Sequence, residues 1–223
     1  MKALNMNPPK NNSRSILAFT LIELLVVIAV IAILAALLLP VGARIQQNAA
    51  KARVRAELER VASAIDSYKN KLGYYPPDNP ANLAVNQLYY ELVGSLRTNN
   101  GAVFIPLDGS PAVPNNLLLA VFGSSGIMNS SATMDSDEGN VAQQFLKEIK
   151  PAQYGTNTAV GVEVRMLGVA IDGPVIPQWT INPFRYNSSN PTNNVNTFDL
   201  WVDIVVGGKT NRINNWSDKP TIL

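Results

Sequence analysis

The sequence predicts an α+β fold in which one long N-terminal helix packs on a C-terminal antiparallel β-sheet. Between residues 19 and 72, an apolar run and then an amphipathic stretch follow the helical period. In the last third of the chain, β-branched residues are frequent and apolar residues alternate with polar ones, which is typical of strands. The 223 residues suffice for one domain, or two, with a sizeable core.

The composition excludes several kinds of chemistry. The chain has no cysteine and no histidine, which rules out disulfides, zinc ribbons, haem ligation, cysteine nucleophiles and histidine-based triads. Its 18 basic and 16 acidic residues leave a net charge of +2, too balanced to indicate nucleic-acid binding. No Walker loop, dinucleotide fingerprint or nucleophile elbow occurs. We therefore predict that the protein is not an enzyme and binds no nucleic acid.

A membrane anchor is the best interpretation of the apolar run. Residues 24–39 are all apolar, and extending the run back to Phe19 adds only Thr20 and Glu23 as polar members. As a helix, this stretch spans about 31 Å, close to the thickness of a bilayer core. Buried core helices rarely contain so long an apolar run. A cleaved secretory signal is the other alternative, but residues 38–41 offer no small-residue cleavage site.

The start of this segment has a distinctive sequence: residues 18–27 read Ala-Phe-Thr-Leu-Ile-Glu-Leu-Leu-Val-Val and follow a stretch with three basic residues and no acid. This sequence resembles the processing site of type IV pilin-like proteins, which include prepilins and type II secretion pseudopilins. In that family a membrane peptidase cuts the leader before a Phe, and the new N-terminus is methylated. The resemblance implies cleavage between Ala18 and Phe19, N-methylation of Phe19, and a role for Phe19 and Glu23 in assembly. The family usually has Gly before the cut, where this chain has Ala18.

Glu23 has two interpretations. An acid at the start of a helix is favoured by the helix dipole, which needs no further function. In the resembled family, the acid pairs with the N-terminal amine of a neighbouring subunit. Such a pair offsets much of the cost of placing both charges in an apolar bundle, and it sets the register of stacked helices. Alanines at 29, 32, 35 and 36 supply small side chains that let helices approach closely.

Pro40 and Gly42 predict a helix break. Either the membrane helix ends there, or the proline lies within a single long helix that can melt locally, as the resemblance implies. The amphipathic pattern resumes beyond them and continues to Leu72, where Gly73 and the prolines at 76 and 77 end it. The charged residues of this stretch form either a solvated face or ion pairs between subunits: Arg53, Arg55, Glu57, Glu59 and Arg60.

The remainder of the chain predicts short helices followed by strands. The predicted elements are helices over 81–96 and 141–149, an apolar run of undecided type over 117–122, strands over 160–171, 182–186 and 198–206, and a hairpin partner over 209–213. The Phe-Asp-Leu-Trp of 198–201, the Ile-Asn-Asn-Trp of 213–216 and the Gly-Tyr-Tyr-Pro of 73–76 resemble major, G-type pseudopilins.

Two groups of residues in this head are candidate binding sites. Major pseudopilins often hold a structural calcium in the C-terminal loop, but residues 207–211 contain no acid. We therefore predict no metal or cofactor, and Asp199, Asp203 and Asp218 are the only nearby candidate ligands. The tryptophans either stack sugars or belong to the core, and the core is the commoner role. They are Trp179, Trp201 and Trp216.

These features divide the chain into a leader over 1–18, a transmembrane and assembly helix over 19–40, an amphipathic continuation with its turn over 41–76, and a periplasmic α+β head over 77–223. The resemblance implies a single-pass inner-membrane precursor with a cytoplasmic leader. Once processed, it would polymerise through its N-terminal helix into a type II secretion or type IV pilus-like filament, in the periplasm or at the cell surface.

The resemblance also implies the partners: copies of the chain, other pilin-like subunits, prepilin peptidase, an inner-membrane assembly platform and inner-membrane lipids. The alternative is a membrane-anchored periplasmic module that binds a glycan or a protein, with Trp179 and residues 77–150 forming its site.

Overall fold

The structure is a computed structural model that describes residues 19–132, 141–157, 161–171, 173 and 179–223. The predicted leader, including Ala18, lies outside the described residues. Two compact units make up the chain, Met1–Ile45 and Gln46–Leu223. The second unit contains the head and the part of the first helix that enters its core.

Helix α1 spans Leu21–Leu72, which confirms the predicted N-terminal helix. It is helical across Pro40 and Gly42, so of the two alternatives given for these residues the structure shows the single long helix, and the helix break named at Pro40 and Gly42 is corrected in that they do not interrupt the secondary structure. A proline removes one backbone hydrogen bond and bends a helix, but the turns on either side can continue it. Judged on the described residues alone, no helix is both long enough and apolar enough to cross a membrane.

The end of α1 is set by Gly73. Its φ of 90° lies in the left-handed region that glycine adopts without strain. Its backbone N–H donates to the carbonyl oxygen of Lys69 at 2.9 Å, which satisfies one of the last carbonyls of the helix. The predicted stop after Leu72 is therefore confirmed.

The head contains short elements joined by turns. In chain order they are α2 Leu88–Val93, β1 Ser95–Thr98, a 3₁₀ turn Asn99–Gly101, β2 Val103–Pro106, β3 Val113–Pro114, α3 Asn115–Phe122, β4 Ser130–Ser131, a 3₁₀ turn Pro151–Gln153, β5 Tyr154–Asn157, β6 Val164–Val169, β7 Asn182–Pro183, β8 Arg185–Asn187, β9 Asp199–Val206, β10 Lys209–Asn214 and β11 Thr221–Ile222.

Within the described part of the chain, the strands form three sheets, in the orders β3-β2-β1-β4, β5-β6-β7 and β11-β10-β9-β8. All strand pairs described there are antiparallel except β1 with β4, which is parallel. The predicted β9–β10 hairpin is confirmed, with Trp201 opposite Asn214 and Asp203 opposite Arg212. These sheets and the helices make the α+β class that the sequence predicts.

One buried core joins the apolar side of α1 to the inner face of the C-terminal sheet. The amphipathic part of α1 contributes fully buried side chains at the helical spacing, such as Leu58, Ile65 and Tyr68. On β9, alternate side chains enter the same core, including Leu200 and Val202. The intervening residues of β9 point to the opposite face of the sheet.

The predicted helices of the middle region are partly wrong. Over 81–96 only residues 88–93 are helical, and Gly94, with φ 76°, ends the helix. Over 141–149 there is no helix; instead the N–H groups of Phe145 and Leu146 donate to the carbonyl oxygen of Leu92. This long-range pairing competes with the local helical hydrogen bonds. The undecided run 117–122 belongs to α3.

Candidate functional site

The first turn of α1 is closed by a reciprocal pair between Thr20 and Glu23. The backbone N–H and the hydroxyl of Thr20 both donate to Glu23 Oε2 at 2.8 Å, and the N–H of Glu23 donates to Thr20 Oγ1 at 3.3 Å. This is a capping box, in which two residues satisfy each other's free backbone N–H groups at a helix start. Glu23 therefore has a local role in starting α1.

The capping box leaves part of the Glu23 carboxylate free. Both hydrogen bonds from Thr20 end on Oε2, and within the described residues Oε1 receives no hydrogen bond. Phe19, directly before the box, has 74% of its surface exposed. Phe19 and Glu23, two of the three residues predicted for processing and assembly, thus both lie exposed at the start of α1. The third, Ala18, lies outside the described residues.

The helix that follows has an apolar surface exposed on every side. Each large hydrophobic residue from Leu21 to Leu34 has about half or more of its surface exposed, for example 82% for Leu21 and 57% for Ile28. The four alanines named above are exposed as well. An uncovered apolar surface of this size marks a site of contact with membrane or protein.

Two arginines of the amphipathic stretch bind the head of their own chain, whereas the sequence predicts either a solvated face or ion pairs between subunits. Arg55 donates from Nη1 to the carbonyl oxygen of Asn214 and from Nη2 to that of Ser217 at 2.7 Å. Arg60 donates to Gln153 Oε1 at 3.2 Å and to the carbonyl oxygen of Lys147. These side chains are partly buried and fix the head to its own helix, so they are neither fully solvated nor reserved for another subunit.

The candidate metal ligands are already engaged or lie apart. Asp199, 1% exposed, accepts backbone N–H hydrogen bonds from residues 192, 193 and 194 at 2.8–3.0 Å. Asp203 forms a bidentate pair with Arg212 at 2.7 and 3.0 Å. Asp218 is exposed. Among the described residues, no three acidic side chains come together as a metal site.

The hydrogen bonds that Asp199 accepts from residues 192–194 change the pKa of its carboxyl group. Burial acts to raise the pKa of this carboxyl, but the hydrogen bonds from the N–H groups of Asn193, Asn194 and Thr192 and from the amide of Asn193 outweigh it. The pKa of Asp199 is consequently lower than its ordinary value. Asp199 holds the Asn-rich loop before β9 in one conformation, a role that sequence reasoning missed.

The three tryptophans take different positions. Trp179 stacks against Phe122, with ring centroids 6.4 Å apart, and packs on the core. Trp201 and Trp216 meet edge to face at 5.9 Å, and the guanidinium of Arg212 lies 5.6 Å from the Trp201 ring centre. They are partly exposed and face the outer side of the C-terminal sheet.

Another polar centre that the sequence analysis missed is Glu91. Its side chain is completely buried and accepts four hydrogen bonds of 2.9–3.1 Å, from Tyr68, Gln87 and the backbone N–H groups of Met128 and Asn129. The sequence gives no local signal for this site, because three of the four donors come from other segments of the chain. The Thr20–Glu23 box, by contrast, is visible as the pattern Thr-x-x-Glu.

Comparison with known proteins gives one match, at the N-terminus of the chain. No curated protein and no solved structure matches the chain. Residues 14–39 match a family model described as the prokaryotic N-terminal methylation motif. That motif is typical of type IV pilin-like prepilins and indicates a membrane-anchored N-terminus.

Proposed function

We propose that the chain is a non-enzymatic structural subunit, a prepilin-like precursor that is cut between Ala18 and Phe19 and methylated on Phe19. It then polymerises through its N-terminal helix into a type II secretion or type IV pilus-like filament. The observation that carries this proposal is the methylation motif over 14–39. In such an assembly the leader is cytoplasmic and the head periplasmic.

The first turn of α1 supports an assembly role for Glu23. Its Oε2 is held by Thr20, which fixes the side chain, while Oε1 remains available. A freed amino terminus has a pKa of about 7.7–8.0 and is mostly protonated at neutral pH. The ammonium of an incoming Phe19 is therefore a suitable partner for this oxygen, and the pairing offsets the cost of placing both charges among apolar helices.

The exposed apolar surface of α1 supports polymerisation through this helix. Such a surface is costly in water, whereas membrane lipid before assembly and neighbouring helices after it would both cover it. The exposed alanines at 29, 32, 35 and 36 allow close approach of those helices. Copies of the chain and other pilin-like subunits are the partners that this surface fits. We further propose a pilin-like arrangement, with the head carried on the amphipathic part of α1.

Processing is the decisive test. The full chain is expressed in cells with an active prepilin peptidase and in matched cells with an inactive one, and its intact mass and N-terminal residue are determined. We expect the active cells alone to yield a chain that starts with N-methylated Phe19. Ala18→Gly provides a matched variant that should be cut at least as well, and Phe19→Asp a variant that should be cut poorly. An identical unprocessed mass in both strains would overturn the proposal and favour the anchored binding module.

A further inference from the structure

A pocket of about 700 Å³ opens on one face of the sheet β3-β2-β1-β4. Arg97 on β1 lies opposite Phe104 on β2, and residues paired in register share one face of a sheet. Both side chains line the pocket, and residues 125–128 and 130 form its other wall. Pockets of this volume are typical of sites for small organic ligands.

The wall opposite the sheet is held in place by hydrogen bonds to other segments. The backbone N–H of Met128 donates to Glu91 Oε1 at 2.9 Å, and that of Gly126 donates to Asn115 Oδ1 at 2.6 Å. The first acceptor is on α2 and the second on α3. A wall that is already fixed does not have to be ordered when a ligand binds, which favours affinity.

The interior of the pocket is apolar. Phe104 and Ile127 close its floor and are each 4% exposed, whereas Met128 at its rim is 58% exposed. Methionine is flexible and polarisable, and it is frequent on surfaces that bind varied apolar groups. A ligand with an apolar body would cover Met128, which is otherwise in contact with water.

The polar groups of the pocket select an anion. Among the described residues that line it, Arg97 alone carries a charge. Arg97 is exposed, and within the described part of the chain no hydrogen bond or ion pair engages its guanidinium. By contrast, Arg165 and Arg212 are paired with carboxylates of this chain. The guanidinium fork matches the two oxygens of a carboxylate.

We propose that this pocket binds an apolar carboxylate, with the carboxylate group on Arg97 and the apolar group against Met128. This chemistry is shared by a free aliphatic acid and by the last residue of a protein chain that ends in an apolar side chain. The site lies in the head, and binding there does not depend on processing or polymerisation of the chain.

The test uses the full chain in micelles of a non-ionic detergent, labelled with ¹³C at the methionine methyl groups. The chain has five methionines, and single Met→Leu variants assign their signals. The probe is 4-methylpentanoate, titrated at pH 7 and constant ionic strength. Acetate, which lacks the apolar group, and 4-methylpentanamide, which lacks the charge, are parallel probes. The peptide acetyl-Gly-Gly-Leu, with a free or an amidated C-terminus, represents the end of a chain.

We expect 4-methylpentanoate to shift the Met128 methyl signal saturably and to leave the signal of the buried Met166 unchanged. Arg97→Met should weaken this binding about tenfold or more, because a charge-assisted hydrogen bond is lost. Arg97→Lys should recover only part of the affinity. Arg53→Met is the matched control, since Arg53 is an exposed arginine outside this pocket, and it should bind like the unmodified chain.

The two sources of the ligand are separated by the peptide. Tighter binding of the free-ended peptide than of 4-methylpentanoate would identify a chain end as the ligand, and binding of 4-methylpentanoate alone would identify a free acid. Three results would overturn the proposal: an unchanged Met128 signal with both carboxylates, equal binding by Arg97→Met, or equal binding of the amide. Acetate that binds as tightly as 4-methylpentanoate would exclude the apolar contact. None of these results bears on cleavage before Phe19.

Discussion

The guanidinium of Arg55 reaches the carbonyl oxygen of Ser217 at 2.7 Å, although 162 positions separate the two residues. The same side chain also binds the carbonyl oxygen of Asn214, where β10 ends. One helix residue therefore holds the start of the C-terminal tail. Because the donor is charged and partly buried, these hydrogen bonds contribute more than an ordinary surface contact.

Removing this contact should destabilise the head. Arg55→Met keeps the length of the side chain but leaves two carbonyl groups without their donor, and we expect a loss of about 2 kcal/mol in the free energy of unfolding. Urea unfolding followed by tryptophan fluorescence measures it. Arg53→Met, a change at an exposed position of the same helix, is the control and should alter stability little. Equal stability of both variants would show that the Arg55 contacts do not matter.

Capping and assembly by Glu23 can be separated by two substitutions. Glu23→Gln retains an N3 side chain that can cap Thr20 but removes the charge, so we expect normal membrane insertion and no filaments. Thr20→Ala loses the cap, at a cost of about 1 kcal/mol, but keeps the carboxylate and should still assemble. Electron microscopy and shear fractions of cells producing each variant measure the filaments. Normal filaments from Glu23→Gln would contradict the charge role.

The buried carboxylate of Glu91 should be sensitive to truncation. Glu91→Ala leaves four donors without an acceptor, and we expect a loss of about 3 kcal/mol or more. Hydrogen exchange of the Met128 and Asn129 amides should accelerate more than exchange elsewhere in the head. Glu59→Ala, at an exposed position, is the control. Unchanged exchange at 128 and 129 would rule out this role for Glu91.

The shifted pKa of Glu91 also predicts that the free energy of unfolding depends on pH. Burial raises the pKa of Glu91, although the hydrogen bonds from Met128, Asn129, Tyr68 and Gln87 oppose the shift. A raised pKa in the folded state means that the contribution of this group is greatest below the ordinary value of 4.5 and falls as the pH rises through the folded-state pKa. Glu91→Gln should lack this component when the free energy of unfolding is measured from pH 4 to 8. Parallel pH profiles for the two proteins would contradict it.

The lowered pKa of Asp199 predicts the opposite pH dependence, in which the stability contributed by this group increases with pH. Because its pKa is lowered in the fold, its contribution is present above the ordinary value of 3.8 and is lost as the pH falls through the folded-state pKa. Asp199→Asn should therefore be less stable than the unmodified chain at pH 7, by about 2 kcal/mol, with a smaller difference near pH 3. Urea midpoints at both pH values test this. Asp218→Asn, at an exposed position, should show no such difference.

Predictions from the sequence agree with the structure where an element depends on neighbouring residues, and they fail where it depends on a distant segment of the chain. The end of α1 at Leu72 and the β9–β10 hairpin depend on neighbouring residues, such as Gly73 and the glycine pair at 207 and 208, and were predicted. The segment 141–149 was predicted wrongly because its backbone bonds to Leu92 instead of to itself. No periodicity in a local window contains that information.

The sequence by itself determined the first third of this protein: a helix that is apolar at its start, the methylation motif over 14–39 and the acid that caps the helix. These properties depend on the order of adjacent residues. The tertiary structure decided how the head uses its polar side chains. Arg55, Glu91 and Asp203 became structural, because burial removes water and leaves each polar group dependent on whichever distant segment the fold places beside it.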